Sequence, residues 1–159
     1  MKHDTVMSLI DNKRATFDYH ILETIEAGLE LHGYEVRSLR AGLGSLKGAR
    51  VVARAGEAYL VGATIPAWQA ANAPKSYDPE RTRRLLLNQK EIARVAAAEG
   101  EQGLTVIPIA VYNRKRRLKL EIAIARGKQK QDKRETIKKR DTERELRRTL
   151  KNKPRKSNF

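Results

Sequence analysis

The sequence contains no cysteine. That excludes a disulfide scaffold, a zinc knuckle and a Cys2His2 finger, each of which needs thiols. Long apolar runs are missing too. The opening stretch MKHDTVMSLI is interrupted by charged and hydroxyl residues, so it reads as neither a secretory signal nor a membrane span. A cytoplasmic location, with no membrane partner, is the expectation.

Catalytic signatures are equally scarce. The three histidines, His3, His20 and His32, fit no HxxxH or HExxH spacing, and solvated positions suit His20 and His32 better than ligation. No serine stands in a Gly-x-Ser-x-Gly setting, and no aspartate pair has metal-binding spacing. The stretch GLGSLKG over 42–48 has the look of a phosphate loop. Its spacing matches neither the dinucleotide nor the Walker pattern, and it follows a predicted helix rather than a strand, so it reads as a turn. Glu23, Glu26 and Glu30 could suggest acid–base work, but on a strand surface they read as solvated groups. No catalytic residue, metal or cofactor is expected, and the chain reads as a binding protein rather than an enzyme.

What the sequence does hold is positive charge. Lys and Arg number 34 against 19 Asp and Glu, a net +15, and a field of that sign attracts polyanions. The charge is unevenly placed. Residues 126–159 hold 15 basic and 5 acidic side chains, net +10, whereas the preceding 125 residues hold 19 and 14, net +5. The pattern is a basic tail on a moderately basic body.

The body has enough apolar residues for a core, and its periodicity changes along the chain. Residues 15–31 read as one long strand, in which Phe17, Tyr19 and Ile21 alternate with Asp18 and His20. Gly28 reads as a bulge or bend within it. From Gly33, Val36, Leu39 and Leu43 take helical spacing, with Arg37 and Arg40 off the apolar side, until the glycines at 42, 44 and 48 stop the helix. Two strands over 50–55 and 57–65 make a hairpin around Gly56, closed by Pro66. A loop over 67–80 leads to a predicted helix over 79–99 that buries Leu85, Leu86, Ile92 and Val95 and stops at Gly100. Strands over 104–112 and 118–124 follow, joined by the charged turn NRKRR.

Short antiparallel strands with helices set between them predict a mainly β, α+β fold: a small OB-like antiparallel barrel with two or three flanking helices. The expected organisation is a flexible arm over 1–11, the barrel over 12–125 and the basic tail over 126–159. In the tail, Asp132 and Glu135 have capping-box spacing, which predicts a helix from Lys133. Ile137, Leu146 and Leu150 make no continuous stripe, so the tail is expected to be disordered when free and helical when bound to a polyanion.

Three segments, in order, are more specific: NKRATFDYHILETIEAGLELHGYEVRSLRAG over 12–42, DPERTRRLLLNQKEI over 78–92 and ARGKQKQDKRETIKKRD over 125–141. Together they resemble the small protein B family, the SsrA-binding proteins of bacterial trans-translation. The resemblance implies an OB-like body that clasps the tRNA-like domain of transfer-messenger RNA and delivers it to stalled ribosomes. It implies a C-terminal tail lying along the empty mRNA channel at the small-subunit decoding site, in place of a codon. It also implies elongation factor Tu as a partner through the charged RNA. Positions matching the family's RNA-facing residues are Asn12, Lys13, Arg14, Tyr19, Glu26 and Leu86, the last being equally readable as core. Those matching its tail residues are Gly127, Lys128, Asp132, Lys133 and Arg134. Gln131 stands where the family often has an aromatic or histidine, and it offers hydrogen bonds without a stacking face. Composition alone leaves two other readings to weigh, a ribosomal or ribosome-assembly protein and a DNA-binding architectural protein, although the tail has no zipper heptads and no helix-turn-helix is evident. An RNA-modifying enzyme fails for want of site residues.

Overall fold

The computed structural model describes residues 7–152, with the side chains of 130–132, 151 and 152 outside the described set. It divides into two units, Met1–Gly127 and Lys128–Phe159. The first unit holds seven strands: β1 Ser8–Asp11, β2 Tyr19–Leu29, β3 Arg50–Arg54, β4 Glu57–Val61, β5 Arg83–Leu86, β6 Leu104–Arg114 and β7 Arg117–Gly127. Three helices are set among them: α1 Ala15–Asp18, α2 Gly33–Arg40 and α3 Gln89–Gly100. The second unit contains α4, Lys130–Asn152.

The strands form one antiparallel sheet in the order β1-β6-β7-β2-β5-β4-β3. No ladder joins its two end strands, but β3 comes back against β6, so the sheet curls in the barrel-like manner expected. The interior is filled by alternate residues. On β7, Leu118, Leu120, Ile122 and Ile124 are buried together with Leu39, Leu46, Leu60, Leu85 and Val95 from the surrounding elements. α3 lies against β3, β4 and β6 and contributes Ile92, Val95 and Ala98. Its N-terminus is closed reciprocally: the Asn88 side chain accepts from the Glu91 amide at 2.8 Å, and the Glu91 carboxylate accepts from the Asn88 amide at 3.0 Å. The free edge of β3 is tied to the same helix, since the Ala53 amide donates to Glu99 at 3.1 Å and Arg54 pairs with that carboxylate at 3.0 Å.

A second, smaller core sits on the outer face of the sheet. Ala15 of α1 is buried against Ile107, Ala123 and Ala125, with Tyr19, Ile21 and Ile109 packed around them. The expected strand over 15–31 is therefore a short helix followed by β2: the alternation was real from Tyr19 onward, but Ala15 needs a helical turn to reach the alanines of β7. The residues expected to be a flexible arm also differ, because Ser8–Asp11 pairs with β6. Asn12 secures this edge. Its amide donates to the Ile109 carbonyl at 2.7 Å and its side-chain nitrogen to the Pro108 carbonyl at 2.9 Å, both at the bulge between Pro108 and Ala110.

Two further corrections follow from β5. Residues 83–86 were expected inside a helix over 79–99, but they form a strand alternating buried and exposed, and the helix begins at Gln89. Three leucines in a row hide the strand's alternation, in which the buried positions are Arg83 and Leu85. Gly28 is not a bulge either. The irregularity of β2 lies between Ile21 and Glu23, and Gly28 pairs directly with Leu86. A Cβ at Gly28 would stand 3.0 Å from that of Leu86, so the glycine suits a close cross-strand approach.

Arg83 belongs to a polar cluster that fastens α2 to the loop before β5. The Glu35 carboxylate accepts from the His32 amide at 2.8 Å, Arg81 Nε at 3.1 Å and Arg83 Nε at 2.8 Å. The remaining guanidinium hydrogens of Arg83 reach the carbonyls of Ala63, Arg81 and Pro79 and the Tyr77 hydroxyl, all within 3.1 Å. Every donor of a buried guanidinium is thus used, which is the condition for burying such a charge. Burial opposes ionisation of Glu35, but its hydrogen bonds to the two arginines and the His32 amide outweigh it and hold the carboxyl at about 2. Burial, followed by the Glu35 carboxylate, pushes the Tyr77 phenol up to about 12.

α4 starts at Lys130, three residues before the expected Lys133, and is helical through Asn152. No Gly or Pro interrupts residues 128–153. Local contacts support the helix: Glu143 lies 4.0 Å from Arg147, and the Thr142 and Thr149 hydroxyls donate to carbonyls four residues back at 2.9 Å. Ile137, Leu146 and Leu150 are exposed, so the expected absence of a buriable stripe is what the helix displays. Among the described residues, no helix is long and apolar enough to cross a membrane.

Candidate nucleic-acid interface

The six body positions singled out from the sequence fall into two groups at opposite ends of β2. Asn12, Arg14 and Tyr19 line one concavity of about 340 Å³, together with Ala15, Asp18, Gly48, Arg50 and Thr105. Lys13 is exposed in the turn leading to α1. The concavity exists because β1 and α1 are joined by the tight turn at 12–14, which Asn12 holds against β6. Arg14 lies over the Phe17 ring at 5.0 Å and 3.6 Å from Asp18. It offers an aromatic edge, an amide and two guanidinium groups around one hollow, which is the donor set that phosphate and base recognition use.

Glu26 and Leu86 belong to the other end, Glu26 lying seven residues along β2 from Tyr19, or about 23 Å at strand rise. Glu26 is not simply solvated. It accepts a hydrogen bond from the Tyr112 hydroxyl and pairs with Arg114 at 3.1 Å, both reached across β7 from β6. Burial first, then the hydrogen bond to Glu26, pushes the Tyr112 phenol well above its ordinary value. Arg114 also lies 5.7 Å from the Tyr112 ring centre. The result is a charged, partly exposed triad on the outer face, in which the glutamate orders a phenol and a guanidinium. Glu23 and Glu30 are likewise paired, with Arg94 and Arg84. Leu86 is 52% exposed, so of its two readings the core one is excluded: it lies over Gly28 on the outer face. Tyr112 and Arg114 were missed in the sequence, where they read as strand end and hairpin charge; only the order β6-β7-β2 brings them to Glu26.

Of the tail positions, Gly127 ends β7 opposite Tyr19. The Lys128 ammonium donates to the Thr136 hydroxyl at 2.7 Å. Lys133 is partly covered within α4 and Arg134 is exposed. The side chains of Gln131 and Asp132 lie outside the described residues.

Comparison with known proteins agrees over almost the whole chain. The family model described as SmpB protein matches residues 9–152. An SsrA-binding protein of Alkalilimnicola ehrlichii is 47% identical over 142 residues, covering 89% of each chain. One from Coxiella burnetii is 48% identical over 141 residues, covering 88% of each, and one from Burkholderia vietnamiensis is 46% identical over 144 residues, covering 91% of this chain and 97% of its own. Among solved structures, one described as "tmRNA-SmpB: a journey to the center of the bacterial ribosome" superposes with a TM-score of 0.64 at 38% identity, over 80% of this chain and 92% of the other. A match of that extent, on a curled antiparallel sheet whose hollow gathers Asn12, Arg14 and Tyr19, places the chain in the SmpB family.

Proposed function

We propose that this protein is an RNA-binding adaptor of ribosome rescue with no chemistry of its own. It binds the tRNA-like domain of transfer-messenger RNA, also called SsrA RNA, and brings it to stalled ribosomes in the cytoplasm. Elongation factor Tu joins through the charged RNA. The tail, with Gly127, Lys128, Gln131, Asp132, Lys133 and Arg134 at its start, occupies the empty mRNA channel at the decoding site. Support comes from relatives named SsrA-binding proteins and from the similar structure named for tmRNA, SmpB and the bacterial ribosome. The observation that carries the reading is the gathering of Asn12, Arg14 and Tyr19, with Arg50, on one concavity, in a family whose members are named for binding this RNA. Lys13 stands beside that hollow, and Glu26 and Leu86 extend the same face.

The test is direct. Purified protein should bind transfer-messenger RNA with an affinity that falls steeply with salt, because each Lys or Arg on a phosphate releases counterions. About six phosphate contacts give a log–log slope of roughly −4 to −5. A slope near zero would remove the polyanion reading.

Glu26 gives a second test, read from the sign of its effect. Its carboxylate holds the Tyr112 hydroxyl and Arg114 in place for the RNA, so Glu26→Ala should weaken binding by about 1–3 kcal/mol while the melting temperature stays close to that of the parent. If Glu26 were only a negative charge on an RNA-facing surface, the same change would tighten binding. Tyr112→Phe should reproduce part of the loss.

A further inference from the structure

One stretch of the body departs from the charge pattern of the rest. In a chain with 33% charged residues, none occurs over 58–74, and residues 75–80 add only Lys75, Asp78 and Glu80. The stretch 58–80 is therefore net −1 in a protein of net +15. Its carboxylates are also unlike the others. Glu23, Glu26, Glu30, Glu35, Glu57 and Glu99 each take an arginine. Asp78 and Glu80 take no cation among the described residues. Asp78 accepts from the Glu80 amide at 2.9 Å, and Glu80 from the Thr64 hydroxyl at 3.4 Å.

The accessible part of this stretch is an apolar hollow. Pro66, Ala70, Ala73, Pro74, Tyr77 and Pro79 line a volume of about 440 Å³, and Lys75 is the one charged residue at its wall. The surrounding loop is held in shape. The Ile65 amide donates to the Pro79 carbonyl at 2.9 Å, the Trp68 amide to the Tyr34 carbonyl at 3.0 Å, and the Tyr77 hydroxyl to the Ile65 carbonyl at 2.6 Å. Arg83 adds a bond to the Pro79 carbonyl at 2.8 Å, so the buried pair with Glu35 also fixes one wall of the hollow. A hollow formed before its occupant arrives saves the entropy of ordering it on binding.

We propose that the loop over 66–80 docks a protein: a basic polypeptide segment that seats an aliphatic side chain in the hollow and sets its cations against Asp78 and Glu80. The charge decides against RNA. A base could lie on Tyr77, but its phosphate would meet two carboxylates and a single lysine. An aliphatic side chain instead removes apolar area from water on both partners, and a basic flank meets charge of opposite sign. The proposal goes beyond RNA binding and rests on the ribosomal setting of the function above, where basic protein segments are the neighbours that are not RNA.

The test uses the full-length protein bound to transfer-messenger RNA, with purified ribosomes stalled on a truncated messenger as the probe. A70K/A73K fills the hollow and adds positive charge, whereas E80K leaves the hollow open. Each should bind the stalled ribosomes about tenfold more weakly, with melting temperature and affinity for transfer-messenger RNA close to the parent's. A loop that faced RNA would answer with the opposite sign, because added lysines tighten binding to a polyanion. Should A70K/A73K melt early, E80K decides alone. A photoreactive benzophenone side chain in place of the exposed Ala71 should cross-link to a ribosomal protein. Unchanged or tighter ribosome binding by the folded variants overturns the proposal, as do cross-links to RNA alone or none at all. A parent protein that fails to bind stalled ribosomes is a different result, one that sinks the functional reading and the docking proposal together.

Discussion

Replacing Arg83 by methionine should lower the unfolding free energy by about 3–5 kcal/mol, the usual cost of removing one partner from a buried ion pair. Arg83 and Glu35 are both fully buried, 2.8 Å apart, and the substitution also strands the carbonyls of Ala63 and Pro79. Denaturant unfolding measures it. The double variant Glu35→Leu with Arg83→Met should be less damaged than the sum of its singles, because no uncompensated charge stays inside. A single Arg83→Met loss below about 1 kcal/mol would show that Arg81 alone suffices to hold Glu35. The same cluster sets an acid limit. The folded-state pKa of Glu35, about 2, lies below its ordinary 4.5, so its contribution is complete above pH 4.5 and fades as pH falls towards 2. That difference corresponds to about 3 kcal/mol. Arg83→Met should flatten the stability profile in this window, since Glu35 then titrates closer to its unfolded value.

Cutting the chain after Gly127 should abolish ribosome rescue while leaving transfer-messenger RNA binding within about tenfold of the parent. Among the described residues, the first unit contains every strand and both hydrophobic clusters, and it ends where β7 ends, so the truncation leaves the fold and the hollow at Asn12 and Tyr19 whole. The removed segment is a helix with exposed Ile137, Leu146 and Leu150 in a tail of net +10 over 126–159. Holding an unpacked helix costs on the order of 1 kcal/mol per residue in backbone entropy, an expense that an anionic channel can offset through counterion release. Tagging of a stalled nascent chain in a reconstituted translation system measures the loss. Normal tagging by the truncated protein would refute the proposed division between body and tail. A thousandfold loss of RNA affinity would make the tail part of the primary grip.

The sequence was legible where periodicity and burial agreed. The hairpins at 50–61 and 104–127 alternate as strands should, and α2 stops at its glycines. It was illegible where a polar residue goes inside. With an arginine at a buried position, RRLLL shows no apolar alternation; nothing local signals that Glu35, 48 positions earlier, would neutralise Arg83. The short helix α1 was hidden for a related reason, because Ala15 is buried only against a sheet face that exists after β6 and β7 pair. The site shows the same division. Motif resemblance pointed to Asn12, Arg14 and Tyr19, and the fold brings them together. It also pointed to Glu26, but its partners Tyr112 and Arg114 come from a strand two places away, and Leu86 became an outer-face residue only when its pairing with Gly28 was known.

The carboxylate of Glu99 has an effect that reaches beyond one molecule. An open sheet edge is a template for another copy's backbone, and a protein that works among crowded ribosomes and long RNAs is repeatedly concentrated beside its own kind. By taking the outward amide of Ala53 and pairing with Arg54, Glu99 withdraws hydrogen-bonding capacity from β3 at the end of the sheet. Self-association by strand addition is thereby discouraged at that edge.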